Sequence, residues 1–146
     1  MLGDEVANYL AGQGLGFSLT ATTSGTQIFG VPFPPDATTD ALACVIPYGG
    51  GENIDAFGPS LAVPLFQIAR FQLLVRDHSN NQKNVVFLIE QAYRNLRHFV
   101  GSLTGTSGVA VRYVWVKSLQ PPAFLKFDEN QRCHWVWSAE AMKEES

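Results

Sequence analysis

FQIARFQLLVRDHSNNQKNVVFLIEQAYRNL, residues 66 to 96, contains both of the periods on which a fold class rests. Its first part alternates. Ala69, Phe71, Leu73 and Val75 fall on one face of a strand, and Phe66, Ile68, Arg70, Gln72, Leu74 and Arg76 on the other. The first set is a core face. The second mixes apolar side chains with two arginines and a glutamine, which suits neither a dry interior nor a free surface, so it asks for a neighbour. The alternation predicts a strand from about 65 to 75. HSNNQ then supplies candidate N-caps, and the period changes to that of a helix. Val85, Leu88, Ile89, Ala92, Tyr93, Leu96, Phe99 and Val100 recur at intervals of three and four, opposite Lys83, Glu90, Gln91, Arg94, Asn95 and Arg97. This spacing predicts a helix over 81–100, stopped by Gly101.

On the N-terminal side, LGDEVANYLAGQG sets Leu2, Val6, Tyr9 and Leu10 at near-helical spacing, with Asp4 and Glu5 in the first turn, where a helix dipole favours acids. FSLTATTSGTQIFG reads as two short β-prone pieces around a turn. VPFPPDATTD holds three prolines and excludes regular structure. ALACVIPYG, 41–49, reads as a buried strand, and the turn-rich GGGENIDAFGPSLAVP, 49–64, as a long loop. On the C-terminal side, VAVRYVWVKSL, 109–119, has apolar residues on both faces and is expected to lie centrally. FLKF and RCHWVWSA read as hairpin arms about DENQ, and the closing EAMKEES as a solvated tail. The order of elements predicts a single α+β domain over 1–146, with a mostly antiparallel sheet and two main helices packed on it.

The bulk numbers narrow the function. A chain of 146 residues, 46% hydrophobic and 16% charged, is the size of one globular domain. Its net charge of −3 gives no basic field to hold nucleic acid by counterion release. The longest apolar runs, such as VVFLI at 85–89, fall far short of the roughly 20 residues that span a bilayer, and no charged-then-apolar leader opens the chain, so no membrane partner is expected. Cys44 and Cys133 lie in apolar, strand-like segments without ligand spacing, which predicts buried reduced thiols.

Catalytic signals are lacking. GGGE at 49–52 and GQGLG at 12–16 have neither the lysine of a phosphate loop nor the strand and helix order of a dinucleotide site, and read as turns and helix stops. His78, His98 and His134 stand apart in sequence, one before the helix, one on its polar side and one in a hairpin arm. Trp115, Trp135 and Trp137 read as core or subunit-contact aromatics in preference to a base-stacking platform, because few cations accompany them. No cofactor, metal or catalytic residue is expected.

Stretches 20–40 and 49–63 are long for connections inside a compact domain, and they carry Ile28, Phe29, Val31, Phe33, Ile54, Phe57 and Leu61. Such residues either fold back on their own domain or are covered by another chain. Together with the mixed face of the 66–76 strand, they favour assembly. Arg70, Gln72 and Arg76 are the expected polar contacts between subunits, and Phe33 and Phe57 the expected docking residues.

The N-terminal helix leading into YLAGQGLG, the strand ALACVIPYGG, PLFQIARFQLLVRDHSNNQ entering a helix, and FLKFDENQRCHWVWS together resemble the minor capsid or tail-terminator proteins of long-tailed bacteriophages. The resemblance runs over nearly the whole chain, and its most specific part is the strand-to-helix passage followed by the aromatic hairpin. The ATTSGT and GVPFPPD loops depart from the pattern. The resemblance implies a virion protein of the tail and neck, held in the host cytoplasm before assembly. It implies a small α+β domain that forms a homo-hexameric ring on the last ring of the tail tube, stops tube growth, and presents a surface to the head-completion (stopper) protein. DNA would pass through the lumen without specific binding, which the net charge of −3 suits. The family's proteins are not enzymes, so the resemblance brings no catalytic residue. A head-completion (stopper) protein is the alternative of the same kind, and a small enzyme or a single-stranded nucleic-acid binder are the alternatives of other classes.

Overall fold

The strand and helix periods of 66–96 settle into a 13-residue strand, β4 (Phe66–His78), and a 15-residue helix, α2 (Gln82–Leu96), joined by a single 3-10 turn over Ser79–Asn81. The computed structural model describes residues 2–22, 25–34, 37–54 and 66–144, with the backbone alone at 50–54. Around β4 and α2 stand α1 (Leu2–Ala11), β1 (Phe17–Ser18), β2 (Thr26–Phe29), β3 (Leu42–Ile54), β5 (Gly101–Thr104), β6 (Ala110–Phe127) and β7 (Arg132–Glu144). These strands form one sheet in the order β1-β2-β3-β4-β7-β6-β5. From β3 to β5 every pairing is antiparallel, and β1 and β2 add to β3 in parallel. The architecture is the expected α+β sheet with two helices.

Register fixes the two faces. Ala43, Val45, Phe71, Leu73, Val75, Trp137, Ala139 and Ala141 share one face and form the core with Leu2, Val6, Ala7 and Leu10 of α1 and Val85, Leu88, Ile89, Ala92 and Leu96 of α2. Trp137 sits at its centre, edge-on to Phe71 at 5.7 Å and to Tyr93 at 5.6 Å. Offset and edge-to-face pairs of this kind add roughly 0.5–1.5 kcal/mol beyond their buried area. The other face presents Cys44, Arg70, Gln72, Leu74, Arg76, His134, Val136, Ser138 and Glu140.

Several expectations are corrected. The helix expected over 81–100 stops at Leu96: His98 takes φ 64° and gives its N–H to Val116 O at 2.8 Å, so the chain leaves the helical path before Gly101. Phe99 then packs on Tyr9 at 5.1 Å, and Val100 is 72% exposed. The segment 109–119 is not a separate central strand. It opens β6, an 18-residue strand one place from the end of the sheet, which continues through Pro121 and Pro122. Those prolines fall in a register shift between Gln120 and Ala123, where no ladder N–H is required of them. GGGE is likewise no turn: Gly49, at φ 50°, sits in a register shift within β3. The largest correction concerns 140–144, which is not a solvated tail but the end of β7, paired on one side with β4 and on the other with β6.

Helix α1 is clamped onto the sheet by backbone contact. A Cβ at Gly3 would collide with Gly30 O, and one at Gly30 would lie 2.6 Å from Asp4 N. Its acids act as tethers. Asp4 accepts hydrogen bonds from Thr106 Oγ1 at 2.7 Å and Thr106 N at 3.0 Å in the β5–β6 turn. Glu5, 1% exposed, accepts from Lys143 Nζ and Tyr113 Oη, both at 2.7 Å. The helix therefore draws β5, β6 and β7 together from one end.

Candidate interaction surface

The mixed face finds most of its neighbours inside the chain. Arg70 Nε donates to Glu140 Oε2 at 3.0 Å, and Lys117 Nζ lies 3.6 Å from Glu140 Oε1. Gln72 and Gln120 both reach Ser138 Oγ, at 3.4 and 3.5 Å. Arg76, 6% exposed, donates through Nη2 to Thr39 O at 2.9 Å and Ala37 O at 3.4 Å, and stacks on the Phe33 ring at 4.6 Å. Arg76 and Phe33 thus pin the proline-rich connection between β2 and β3 to their own sheet. Ile28 is 2% exposed and belongs to the core. Of the described residues expected at a subunit contact, Arg70 keeps the most accessible side chain, 48% exposed. Phe57 lies outside the described residues.

A second cluster orders the β6–β7 turn. Asp128 Oδ2 accepts from Arg132 Nε and bonds His134 Nε2, both at 2.8 Å, while Oδ1 accepts from Asn130 N at 2.9 Å and Arg132 N at 3.0 Å. Gln131, at φ 59°, completes a three-residue loop whose last residue is left-handed. Burial by itself would raise the Asp128 carboxyl, but the bonds from His134, Arg132 and Asn130 outweigh it and hold the group well below the usual carboxylate range. For Asp4 the same contest, burial against the two bonds from Thr106, ends at about 2. Glu5 is also lowered, because the bonds from Lys143 and Tyr113 exceed the desolvation of its buried site.

These three shifts have one sign. A carboxyl whose folded value lies below its unfolded value stabilises the protein above the unfolded value, and that contribution is lost as pH falls toward the folded one. Stability is therefore expected to be level above about pH 5 and to decline from 4.5 toward 2, the interval between the ordinary Glu value and the lowered Asp4. Urea unfolding midpoints measured across that range check it. An unchanged midpoint between pH 5 and 3 would contradict the assignment of the tethers.

Beyond Lys117, β6 presents large apolar side chains to solvent: Leu119 is 43% exposed, Phe124 44%, Leu125 50% and Phe127 57%. Phe124 packs on Phe127 at 4.9 Å and on Trp135 at 6.0 Å, so the group is an ordered ledge. At the opposite end of the sheet, an open cavity of about 690 Å³ is lined by Leu2, Glu5, Pro47, Ala69, Arg70 and Lys143 among others. Its charged groups already face partners, Glu5 against Lys143 and Arg70 against Glu140. Cys44 and Cys133 are buried free thiols, Cys44 pushed up to about 12 by burial. Among the described residues no group of three or more His, Cys, Asp or Glu is placed to hold a metal ion, and no helix is long and apolar enough to cross a membrane. The surface can bind by shape, apolar contact and a few charged rim groups.

Sequence reading found Arg70 and the aromatic arm but missed Glu140, Lys143 and the Asp128 knot. Only the spacing of Asp128, Arg132 and His134 in DENQRCH offered a signal for the last of these, since i+4 and i+6 positions flanking a tight hairpin turn return to the residue at its start.

The geometry defines a small α+β domain with one helix-covered sheet face and an exposed apolar strand. No family model matches the chain, and no curated protein matches it in sequence. Among solved structures it is similar to a chain from the virion of a native gene transfer agent (GTA) particle, with 12% sequence identity, a TM-score of 0.51, and coverage of 99% of this chain and 89% of that one. At this identity the likeness is one of fold.

Proposed function

We propose that this chain is a structural protein of a phage-like virion, a tail terminator that forms a hexameric ring on the end of the tail tube and joins it to the head-completion protein. The observation that carries the reading is the fold likeness to a virion chain across 99% of the present chain. The resemblance of its strand-to-helix passage and aromatic hairpin to tail terminators gives the finer role. Capping follows from asymmetry: one face of the ring matches the growing end of the tube and the other does not match a further tube subunit, so addition stops. Function then lies in shape complementarity, with no substrate turned over.

Within that ring, Arg70 is the polar contact to a neighbour. Its guanidinium is held in place by Glu140 at 3.0 Å while its side chain stays 48% exposed, which leaves donors for a second acceptor. Arg76 and Phe33 shape the β2–β3 connection that docks beside it. Replacing Arg70 by Glu sets two carboxylates together at Glu140, and is expected to reduce the ring fraction at least tenfold while circular dichroism still reports a folded chain. An R70E protein that elutes entirely as rings would remove this role. The reading as a whole is tested by electron microscopy of the purified protein alone and mixed with polymerising tail tubes. Sixfold rings and tubes of limited length are expected; unlimited tubes in its presence would refute the capping role.

A further inference from the structure

The sheet ends on short strands, yet its long strands outrun them at two opposite corners. β5 pairs with β6 only over Ala110–Tyr113, and β6 continues to Phe127. Apart from the His98 N–H on Val116 O, nothing among the described residues pairs with that outer edge. β2 pairs with β3 only over Leu42–Cys44, while β3 continues to Ile54. The row Leu42, Arg76, His134, Lys126 crosses the sheet at one end, where β2 covers the edge of β3 and the edge of β6 is open. The row Asn53, Gln67, Lys143, Tyr113, Gly101 crosses at the other end, where β5 covers β6 and, among the described residues, β3 is the outer strand.

Direction matters as much as position. β3, β4, β7 and β6 alternate, so β6 runs opposite to β3. A second copy in the same orientation, moved sideways and offset along the strands, brings its β3 antiparallel to the open part of β6. The contact uses two different surfaces and leaves both available on the outer copies, which is the type that repeats into a ring. A register offset between neighbours is also what tilted strands show when a sheet closes on itself.

We infer that the open outer edge of β6, residues 118–127, receives the outer edge of β3, residues 46–54, of the next copy of this chain, so that one antiparallel sheet runs from copy to copy. The inference rests on the ring reading and specifies its contact. Leu119, Phe124, Leu125 and Phe127 supply the area, on the order of 350 Å² if about half of each side chain's surface is still open. A standard interface buries roughly 800 Å² per partner. One such junction therefore holds two copies weakly, and closure of the ring or seating on a tube makes it stable. Of the adjacent Pro121 and Pro122 one removes a donor from the outer edge of β6, since successive backbone N–H groups in a strand point to opposite sides, which weakens pairing with unrelated strands and leaves side-chain fit to choose the partner.

The test is a bis-maleimide cross-link of the full chain, whose own Cys44 and Cys133 are buried. The double variant Leu125→Cys with Tyr48→Cys, which the antiparallel register of 118–127 on 46–54 brings close together, is expected to give a ladder of trimers and larger species, and each single variant to stay monomeric. Dimers from Leu125→Cys alone would mean that β6 pairs with itself, and would overturn the inference. So would a double variant that forms rings by electron microscopy without any ladder, although the ring reading would then survive. A ladder without sixfold rings would support the contact and refute the hexamer. As a second arm, Leu119→Lys with Leu125→Lys is expected to raise the apparent dissociation constant by sedimentation velocity at least tenfold, with the melting temperature retained. Unchanged association in that variant would also overturn the inference.

Discussion

Replacement of Lys143 by methionine is expected to destabilise the protein by about 3–5 kcal/mol, the range for removing one partner of a buried ion pair. The Lys143 and Glu5 side chains are 1% and 2% exposed and meet at 2.7 Å, and Tyr113 Oη bonds the same carboxylate oxygen. Methionine fills the space of the lysine stem but removes the ammonium that faces the Glu5 carboxylate, while Tyr113 still donates to it. The consequence reaches beyond one contact, because this pair joins α1 to β7, an interior strand of the sheet. Urea unfolding of the variant checks the magnitude. The double variant Lys143→Met with Glu5→Gln removes the uncompensated charge and is expected to recover at least half of the loss. If the single variant loses less than about 1 kcal/mol, the pair is not the anchor described.

Replacement of Gly30 by alanine is expected to cost about 3 kcal/mol or more, beyond the usual range for overpacking, because the obstruction is backbone. The added Cβ would sit 2.6 Å from Asp4 N and 2.7 Å from Asp4 Cα, atoms that no rotamer change can move. Relief requires α1 to lift from β2, which would loosen the Asp4 and Glu5 tethers together. The check is a thermal melt with near-ultraviolet circular dichroism, where Trp137 and Tyr113 report the core. Gly12→Ala is the control: its Cβ would meet nothing closer than Asn8 O at 3.5 Å, so little change is expected there.

Both variants depend on contacts that no local pattern announces. Gly3 and Gly30 look like ordinary helix-start and turn glycines, and their mutual approach across 27 positions of sequence follows only from how α1 crosses the end of β2. Lys143 sits among four other charged or polar residues in EAMKEES, and hydropathy alone assigns that segment to solvent. It is buried because β4 and β6 both pair with it, and each lends side chains that neutralise or cover its charges, Tyr113 from β6 and Arg70 from β4. The early end of α2 has a related cause. Phe99 and Val100 continue the helical period, but a backbone bond from His98 to Val116 and the packing of Phe99 on Tyr9 outweigh one more helical turn.

The sequence by itself determined the class of fold, the core face of β4, the apolar stripe of α2, the stop after α1 and the turn at DENQ. These are local properties, set by side-chain period and by the few residues that tolerate a turn. Only the tertiary structure decided which strands are neighbours, that the 140–144 segment is interior, that Arg76 and Phe33 close on their own connection, and which edges remain open. Every strand offers the same backbone donors and acceptors along its length, so its period says which side faces the core but not which strand will lie beside it. That choice is made by packing between residues far apart in the chain.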